Sequence, residues 1–329
     1  MAVSTKVKSP VIPRHLRPYN PFRDSEAVAD LIEANFANTL DPDGRRYLSQ
    51  MRAGSRKRGF YRWTNYIFRS NPHPLSGFVW EEDGQVVGNL SLVPFYYKGQ
   101  RINMIANVAV SPQYRRRGIA RALTQVALEK SRRGRANSTW LQVRHDNLAA
   151  LNLYLDMGFV TKASRTTWIA YPEKLMKATL SDVKVRIRKR SHWHKQKLWL
   201  EQNYPTTLRW YFLLSMTAMA PGILAAVYQF FNDIDIQHWA VVRNNCLLGV
   251  FSWQRTYRYA DYLWVASPSE YEDDVLQAIL PTIRRFPRMS RPLALDYPQN
   301  RAVNVLTSVG IQPKITLNWM EVEHERRER

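Results

Sequence analysis

The stretch from Asn107 to Phe159 changes its hydrophobic period repeatedly, and few folds accept such a run. Asn107-Val108-Ala109-Val110 reads as the end of a strand and Ser111-Pro112-Gln113-Tyr114 as a turn. Arg115-Arg116-Arg117-Gly118-Ile119-Ala120 then opens a long helical pattern. A second strand follows at Thr139 to Val143, then a short helix carrying Tyr154 that stops before Gly158-Phe159. A strand that feeds a helix through such a turn makes an anion site. The first N–H groups of a helix lack partners, the helix dipole adds positive charge there, and a diphosphate fits if the chain turns tightly. Gly118 and Ala120 keep the turn free of bulk, and Arg115, Arg116, Arg117 and Arg121 offer charge-assisted hydrogen bonds. A solvated basic helix start has the same composition, and charge alone does not separate the two.

Upstream, Met1 to Arg14 mixes Lys, Ser and Pro without the apolar core of a signal peptide, and reads as a tail. A short strand is expected near His15 to Tyr19, then a helix capped by Asp24, with Ala27, Ala29, Leu31, Ile32 and Phe36 at helical spacing. A second helical region is expected from Arg45 to Met51. Arg52 to Arg69 interleaves basic residues with Phe60, Tyr61, Trp63 and Tyr66, a pattern shared by nucleic-acid platforms and by amphipathic segments with buried rings. Phe78 to Trp80 and Val86 to Val93 flank Asp83-Gly84 and read as a hairpin, with a third strand from Met104 to Val110.

The order of elements then recurs. Val183 to Arg188 alternates as a strand, and a helical pattern runs on to Tyr204. His238 to Val242 and Leu247 to Ser252 form a hairpin around Asn244-Asn245. Leu263 to Pro268 echoes Val108 to Pro112, a helix runs from Tyr271 to Arg285, and strands are expected at Leu293 to Leu295 and Thr316 to Val322. This repetition implies an internal duplication. Trp210 to Phe231 has no charged residue and is long enough to cross a bilayer, but Pro221-Gly222 interrupts it. Two buried helices broken there are expected rather than a membrane span.

With 329 residues and 45% hydrophobic content the chain suits two ordinary domains and not a disordered protein. Cys246 is the single cysteine, which excludes an intrachain disulfide and fits a cytoplasmic setting. The net charge of +21 favours anionic partners. His192 and His194 have no evident third ligand, so no metal is assigned.

The hexapeptide Arg115-x-x-Gly118-x-Ala120 after a strand, followed by Asn147 and Leu153-Tyr154-x-x-x-Gly158-Phe159, resembles the GNAT superfamily of N-acetyltransferases. The resemblance is clear from Phe78 to Trp168. It implies an α/β (α+β) fold, a mixed, mostly antiparallel sheet flanked by helices, here in two copies. The division expected is a tail to residue 14, an acetyl-CoA-binding domain over 15–172, a linker over 173–182, a degenerate copy over 183–323 and a charged tail over 324–329. The resemblance further implies that main-chain groups of Val108 and Val110 hold the pantetheine arm of acetyl-CoA. Main-chain amides from Arg116 to Arg121, with Ile119 and Ala120 among them, would hold the pyrophosphate. Asn147 would contact the cosubstrate, Tyr154 would be the general acid, and the Val110 N–H the oxyanion donor.

Acyl transfer from a thioester to an amine expels a thiolate, and a Tyr hydroxyl near the sulfur assists that departure. No carboxylate lies in Arg101 to Val110, where many members carry a base, so Glu81, Glu82, Asp146, His145 and a water chain through Asn107 all stay open. In the second copy Glu270, Glu272, Asp273 and Asp274 crowd the matching helix start, and Leu306 stands where Tyr154 stands in the first. The function expected is acetyl transfer to a primary amine by direct attack in a ternary complex, with the acceptor unidentified. The alternatives are a basic nucleic-acid-associated protein with a vestigial site, and a membrane-associated acyltransferase.

Overall fold

In the computed structural model, residues 14–54, 76–171, 182–285 and 291–324 are described. Most of the basic aromatic stretch and of the expected linker lies outside them. The chain forms two compact units, one of residues 1–142, 149–160 and 320–329, the other of residues 143–148 and 161–319.

The first unit begins with β1 (Leu16–Pro18), α1 (Pro21–Phe36) and α2 (Pro42–Gly54). Asn20 caps α1, its side chain accepting from the Phe22 N–H at 3.0 Å, and Pro21 presets the first helical φ. Asp24 is thus not the cap expected from sequence. It lies inside the first turn, buried, and accepts two hydrogen bonds from Arg17 at 2.7 and 2.8 Å. Val28, Ala29 and Ile32 of α1 pack on Leu48 and Met51 of α2 and on Val79. The sheet follows as β2 (Ser76–Glu82), β3 (Gln85–Tyr97), β4 (Gln100–Val110) and β5 (Ser138–Arg144), in the order β1-β2-β3-β4-β5. Its neighbours run antiparallel except β4 and β5, which are parallel. The β2–β3 turn places Asp83 and Gly84 at φ 50° and 77°, the mirror-image turn its sequence announced. Between β4 and β5 runs α3 (Ile119–Arg133), and α4 (Leu148–Asp156) follows β5. The end of the chain returns to β5: the His324 N–H donates to the Asn137 carbonyl at 2.9 Å, and its imidazole meets the Thr139 hydroxyl at 2.8 Å.

The second unit contains β6 (Val160–Ala170), β7 (Lys184–Ile187), α5 (Trp193–Asn203), α6 (Met216–Met219), α7 (Ile223–Phe231), β8 (Ile236–Arg243), β9 (Cys246–Gln254) and β10 (Asp261–Ala266). It continues with α8 (Glu272–Arg285), β11 (Leu293–Pro298), α9 (Val303–Ser308) and β12 (Gln312–Glu323). The strand order is β12-β6-β11-β10-β9-β8-β7. Only the β10–β11 pair is parallel among the pairings that run from β6 to β7. Phe251, Trp253, Tyr297 and Leu306 fill its core. One detail repeats between the units. A Cβ on Gly88 of β3 would stand 2.8 Å from Ile119 of α3, and one on Gly249 of β9 would stand 2.6 Å from Val275 of α8. Each helix comes so close to its sheet that only glycine fits beneath it.

The uncharged stretch at 210–231 does break at Pro221-Gly222, with Gly222 at φ 109°. Its second helix is not buried as expected. In α7 only Ala225 is buried, and Ile223, Leu224, Phe230 and Phe231 stand in solvent. Among the described residues no helix is long and apolar enough to cross a membrane.

Candidate active site

The ladder between β4 and β5 stops at Ile105 and Leu141, short of Val110 at the end of β4. The cause lies in β4 itself. Register shifts between Asn89 and Ser91 of β3, where β4 carries an extra residue and Asn107 turns to φ 53°. The Asn89 side chain, wholly buried, donates to the Asn107 carbonyl at 2.9 Å and holds this bulge. The Asn107 amide reaches the Ser91 hydroxyl at 3.3 Å and the hydroxyl of the half-buried Tyr47 at 3.4 Å. Past the bulge, Val108 and Val110 lie along the part of β4 that β5 no longer covers.

The chain then makes the turn that the arginines announced. Ser111 N–H donates to Val87 at 2.8 Å, and Pro112–Tyr114 form a short 3-10 turn. Arg116 takes φ 62° and Gly118 takes φ 78°, and Gly118 is the N-cap of α3. A Cβ on Gly118 would meet nothing within 4 Å. Glycine is therefore used here for its backbone freedom rather than to clear a clash. No side chain caps this helix start, so its N–H groups face outward.

The arginines divide their work. Arg115 donates to Asn35 at 2.8 Å and reaches back to the Val110 carbonyl at 3.3 Å. Arg117 lies over the Tyr114 ring at 4.8 Å. Arg121 pairs with Asp156 at 2.9 Å. Among the described residues the Arg116 side chain has no partner. Three guanidinium groups thus brace the turn.

A pocket of about 390 Å³ opens at this turn. Of the residues singled out from sequence, Val110, Arg115, Arg116, Gly118, Ile119, Ala120 and Arg121 line it. Val108, Arg117, Asn147 and Tyr154 do not. Asn147 is exposed in the turn after β5, its N–H bonded to the Arg144 carbonyl at 3.0 Å. Asn152, Leu153 and Asp156 of α4 also line the pocket. Sequence reasoning passed over Asn152, although it lies four residues before Asp156 on the same helical face.

Tyr154 is buried, its ring set edge-on to Phe159 at 5.8 Å. Among the described residues nothing hydrogen-bonds its hydroxyl. Burial pushes its pKa up to about 12, so the phenol keeps its proton at neutral pH.

The candidate bases fare unevenly. Glu81 accepts from Arg17 at 2.6 Å and from Arg23 at 2.8 Å, and these bonds hold it below the usual carboxylate range. Asp146 is lowered in the same way by its hydrogen bonds from Arg144. Both are poor proton acceptors near neutrality. Glu82 accepts from the Trp80 indole at 3.0 Å. His145 is exposed and bonds through its main chain to Thr316 at 3.0 Å.

The second unit repeats the open frame and fills it. The β10–β11 ladder stops at Tyr262 and Ala294, so these strands also part. There the Asn203 side chain donates to the Val265 carbonyl at 3.0 Å, and the Val265 N–H donates to the Tyr204 hydroxyl at 3.2 Å. Main-chain groups of the parted strand are thus taken by the protein's own side chains. At the start of α8 the Glu272 carboxylate, nearly buried, accepts from the Tyr297 hydroxyl and from Arg301 at 3.1 Å. A carboxylate thus occupies this helix start.

Residues 41–159 match the model of the acetyltransferase (GNAT) family. A [Ribosomal protein bS18]-alanine N-acetyltransferase of Escherichia coli (strain K12) is 40% identical over 53 residues, which is 16% of this chain and 36% of that protein. This chain therefore spans about a third of the length of the curated relatives of that kind. A GCN5-related N-acetyltransferase from Sphaerobacter thermophilus covers 95% of this chain and 97% of its own, at 14% identity and a TM-score of 0.58. A tandem GNAT protein from the clavulanic acid biosynthesis pathway covers 95% of this chain and 99% of its own, at 16% identity and a TM-score of 0.51. Residues 41–159 are thus similar to the GNAT family, and the fold over nearly the whole chain is similar to that of these two solved structures, one of them a tandem GNAT protein.

Proposed function

We propose that the chain is an acetyl-CoA-dependent N-acetyltransferase that acylates a primary amine, with one working site in its first unit. The observation that supports this most is the Gly118 turn, with its left-handed cap, uncapped helix start and free Arg116, opening on a pocket beside the parted β4. These features fit a diphosphate with a thin extended arm attached. Acetyl-CoA supplies an acyl group on a sulfur that leaves readily.

In this reading, main-chain amides from Arg116 to Arg121 hold the pyrophosphate, and main-chain groups of Val108 and Val110 hold the arm like an added strand. The amine nitrogen attacks the carbonyl carbon, the C–S bond breaks, and the amine loses a proton. The Val110 N–H is the donor to the oxygen that gains charge. Tyr154 donates to the departing sulfur. Its pKa of about 12 lies above a thiol's value of about 8.5, so it acts mainly by a hydrogen bond held through the transition state. With Glu81 and Asp146 tied to arginines, Glu82, His145 and a water chain through Asn107 are left as routes for proton removal from the amine.

The amine acceptor lies outside what the turn dictates, since the turn reads only the cosubstrate. The relatives named for a ribosomal-protein alanine make peptide α-amines the first acceptors to try, and the net charge of +21 favours acidic peptides among them. A screen of peptide and small amines with acetyl-CoA, read by free thiol, tests the proposal. Thiol release that depends on an amine supports it. Binding of acetyl-CoA without release across all amine classes counts against it.

A further inference from the structure

The nine-residue helix α7 has no charged side chain, and it presents its apolar residues outward. Ile223, Leu224, Phe230 and Phe231 are 81%, 85%, 82% and 79% exposed, with Val227 and Tyr228 also exposed between them. Ala225 alone turns into the protein, so the outward arc is a continuous apolar face.

The stretch of chain that carries it is cationic. Residues 183–232 hold eight Lys and Arg and one acid, Glu201, which pairs with Arg209 at 3.2 Å. The Arg190 guanidinium sits at the start of α7, where a Cβ on Gly222 would come within 2.9 Å of it. Arg188 donates to the Met219 carbonyl at the end of α6 at 2.6 Å. Among the described residues no carboxylate pairs with Arg188 or Arg190. Lys184, Arg186 and Lys189 are exposed on and just after β7, the last strand in the sheet order.

We propose that α7 lies on an anionic lipid surface, its apolar face in the headgroup–acyl boundary and the neighbouring cations on the lipid phosphates. An apolar face flanked by unpaired Lys and Arg is the combination that interfacial helices use, because burial and charge attraction add. A second copy of the chain is a poorer occupant. A symmetric pairing would bring these cations against their own kind on molecules of charge +21 each. The helix is too short to span, so the contact is peripheral.

The test uses the full chain with vesicles of phosphatidylcholine, alone or with about a third phosphatidylserine, read by co-sedimentation at low and high salt. Binding to the anionic vesicles is expected, weakened by salt and absent with the neutral ones. Phe230→Asp with Phe231→Asp should reduce partitioning at least about tenfold. Both side chains are in solvent, so the circular dichroism spectrum and thermal midpoint should not move. Arg190→Glu should weaken binding with the fold intact. No binding to anionic vesicles, or binding that the aspartates leave unchanged, overturns the proposal. A dimer in sedimentation equilibrium that the aspartates dissociate overturns it too, in favour of a second copy. Neither result bears on acetyl transfer.

Discussion

Asn89 donates its side-chain amide to the main-chain carbonyl of Asn107 at 2.9 Å, across the bulge where Asn107 turns to φ 53°. This bond stands behind the parting of β4 from β5. Leucine at position 89 keeps the branched shape and leaves the carbonyl unpaired, a cost of about 1–3 kcal/mol. Asn89→Leu should lower the thermal midpoint and also weaken acetyl-CoA binding. A drop in stability with unchanged affinity would separate the bulge from the cosubstrate site.

Tyr154 bears on turnover rather than on binding. Tyr154→Phe keeps the ring against Phe159 and removes the donor. Turnover should fall by about a hundredfold, with acetyl-CoA affinity within about twofold of the parent. Steady-state kinetics beside calorimetry read both, and equal turnover removes Tyr154 from the chemistry.

Gly249 tests how closely the second unit is packed. Alanine there would place a Cβ 2.6 Å from Val275 and 2.9 Å from the Ala266 carbonyl, so helix or strand must shift. Gly249→Ala should cost about 1–3 kcal/mol in denaturant unfolding. A change well below that would mean that α8 rides further from the sheet.

His238 gives the stability a pH dependence. Burial, with the nearby Arg188 charge, pulls its pKa down to about 3, and its Nδ1 lies 2.7 Å from the Ser252 hydroxyl. The unfolded chain takes up a proton near pH 6.5 and the folded chain does not. Stability is thus full above about 6.5 and declines as pH falls toward about 3, by at most about 1.4 kcal/mol per pH unit from this group. Urea unfolding between these limits should show a shallower slope for His238→Gln. Equal slopes would place the linkage elsewhere.

What sequence made legible was local. The Asp83-Gly84 and Asn244-Asn245 turns all take positive φ, as those residue pairs announce. Strand, arginine turn and helix came from spacing within a few residues, and so did the acidic start of α8. What failed depended on distant partners. Asp24 looked like a helix cap, but Arg17 of β1 claims it, and Asn20 caps instead. Glu81 looked free to act as a base until Arg17, 64 residues away, closed on it. The apolar run in α7 was read as buried because composition records what a residue prefers, not which side of it the protein covers. The filled groove of the second unit was half legible: the acids at 272–274 were plain, whereas Asn203 and Tyr204 reach Val265 from some sixty residues away.

The central claim is that acetyl-CoA is held at the Gly118 turn and nowhere else in the chain. Calorimetric titration of acetyl-CoA into the parent, Gly118→Ala and Gly118→Glu tests it most directly. The space beyond Gly118 is open, so alanine pays only for its φ of 78°, a loss of about tenfold. Glutamate adds a negative charge where the diphosphate docks. One equivalent bound to the parent, weaker binding to Gly118→Ala and none to a folded Gly118→Glu is the predicted result. Two equivalents in the parent, or binding that survives Gly118→Glu, would contradict the account.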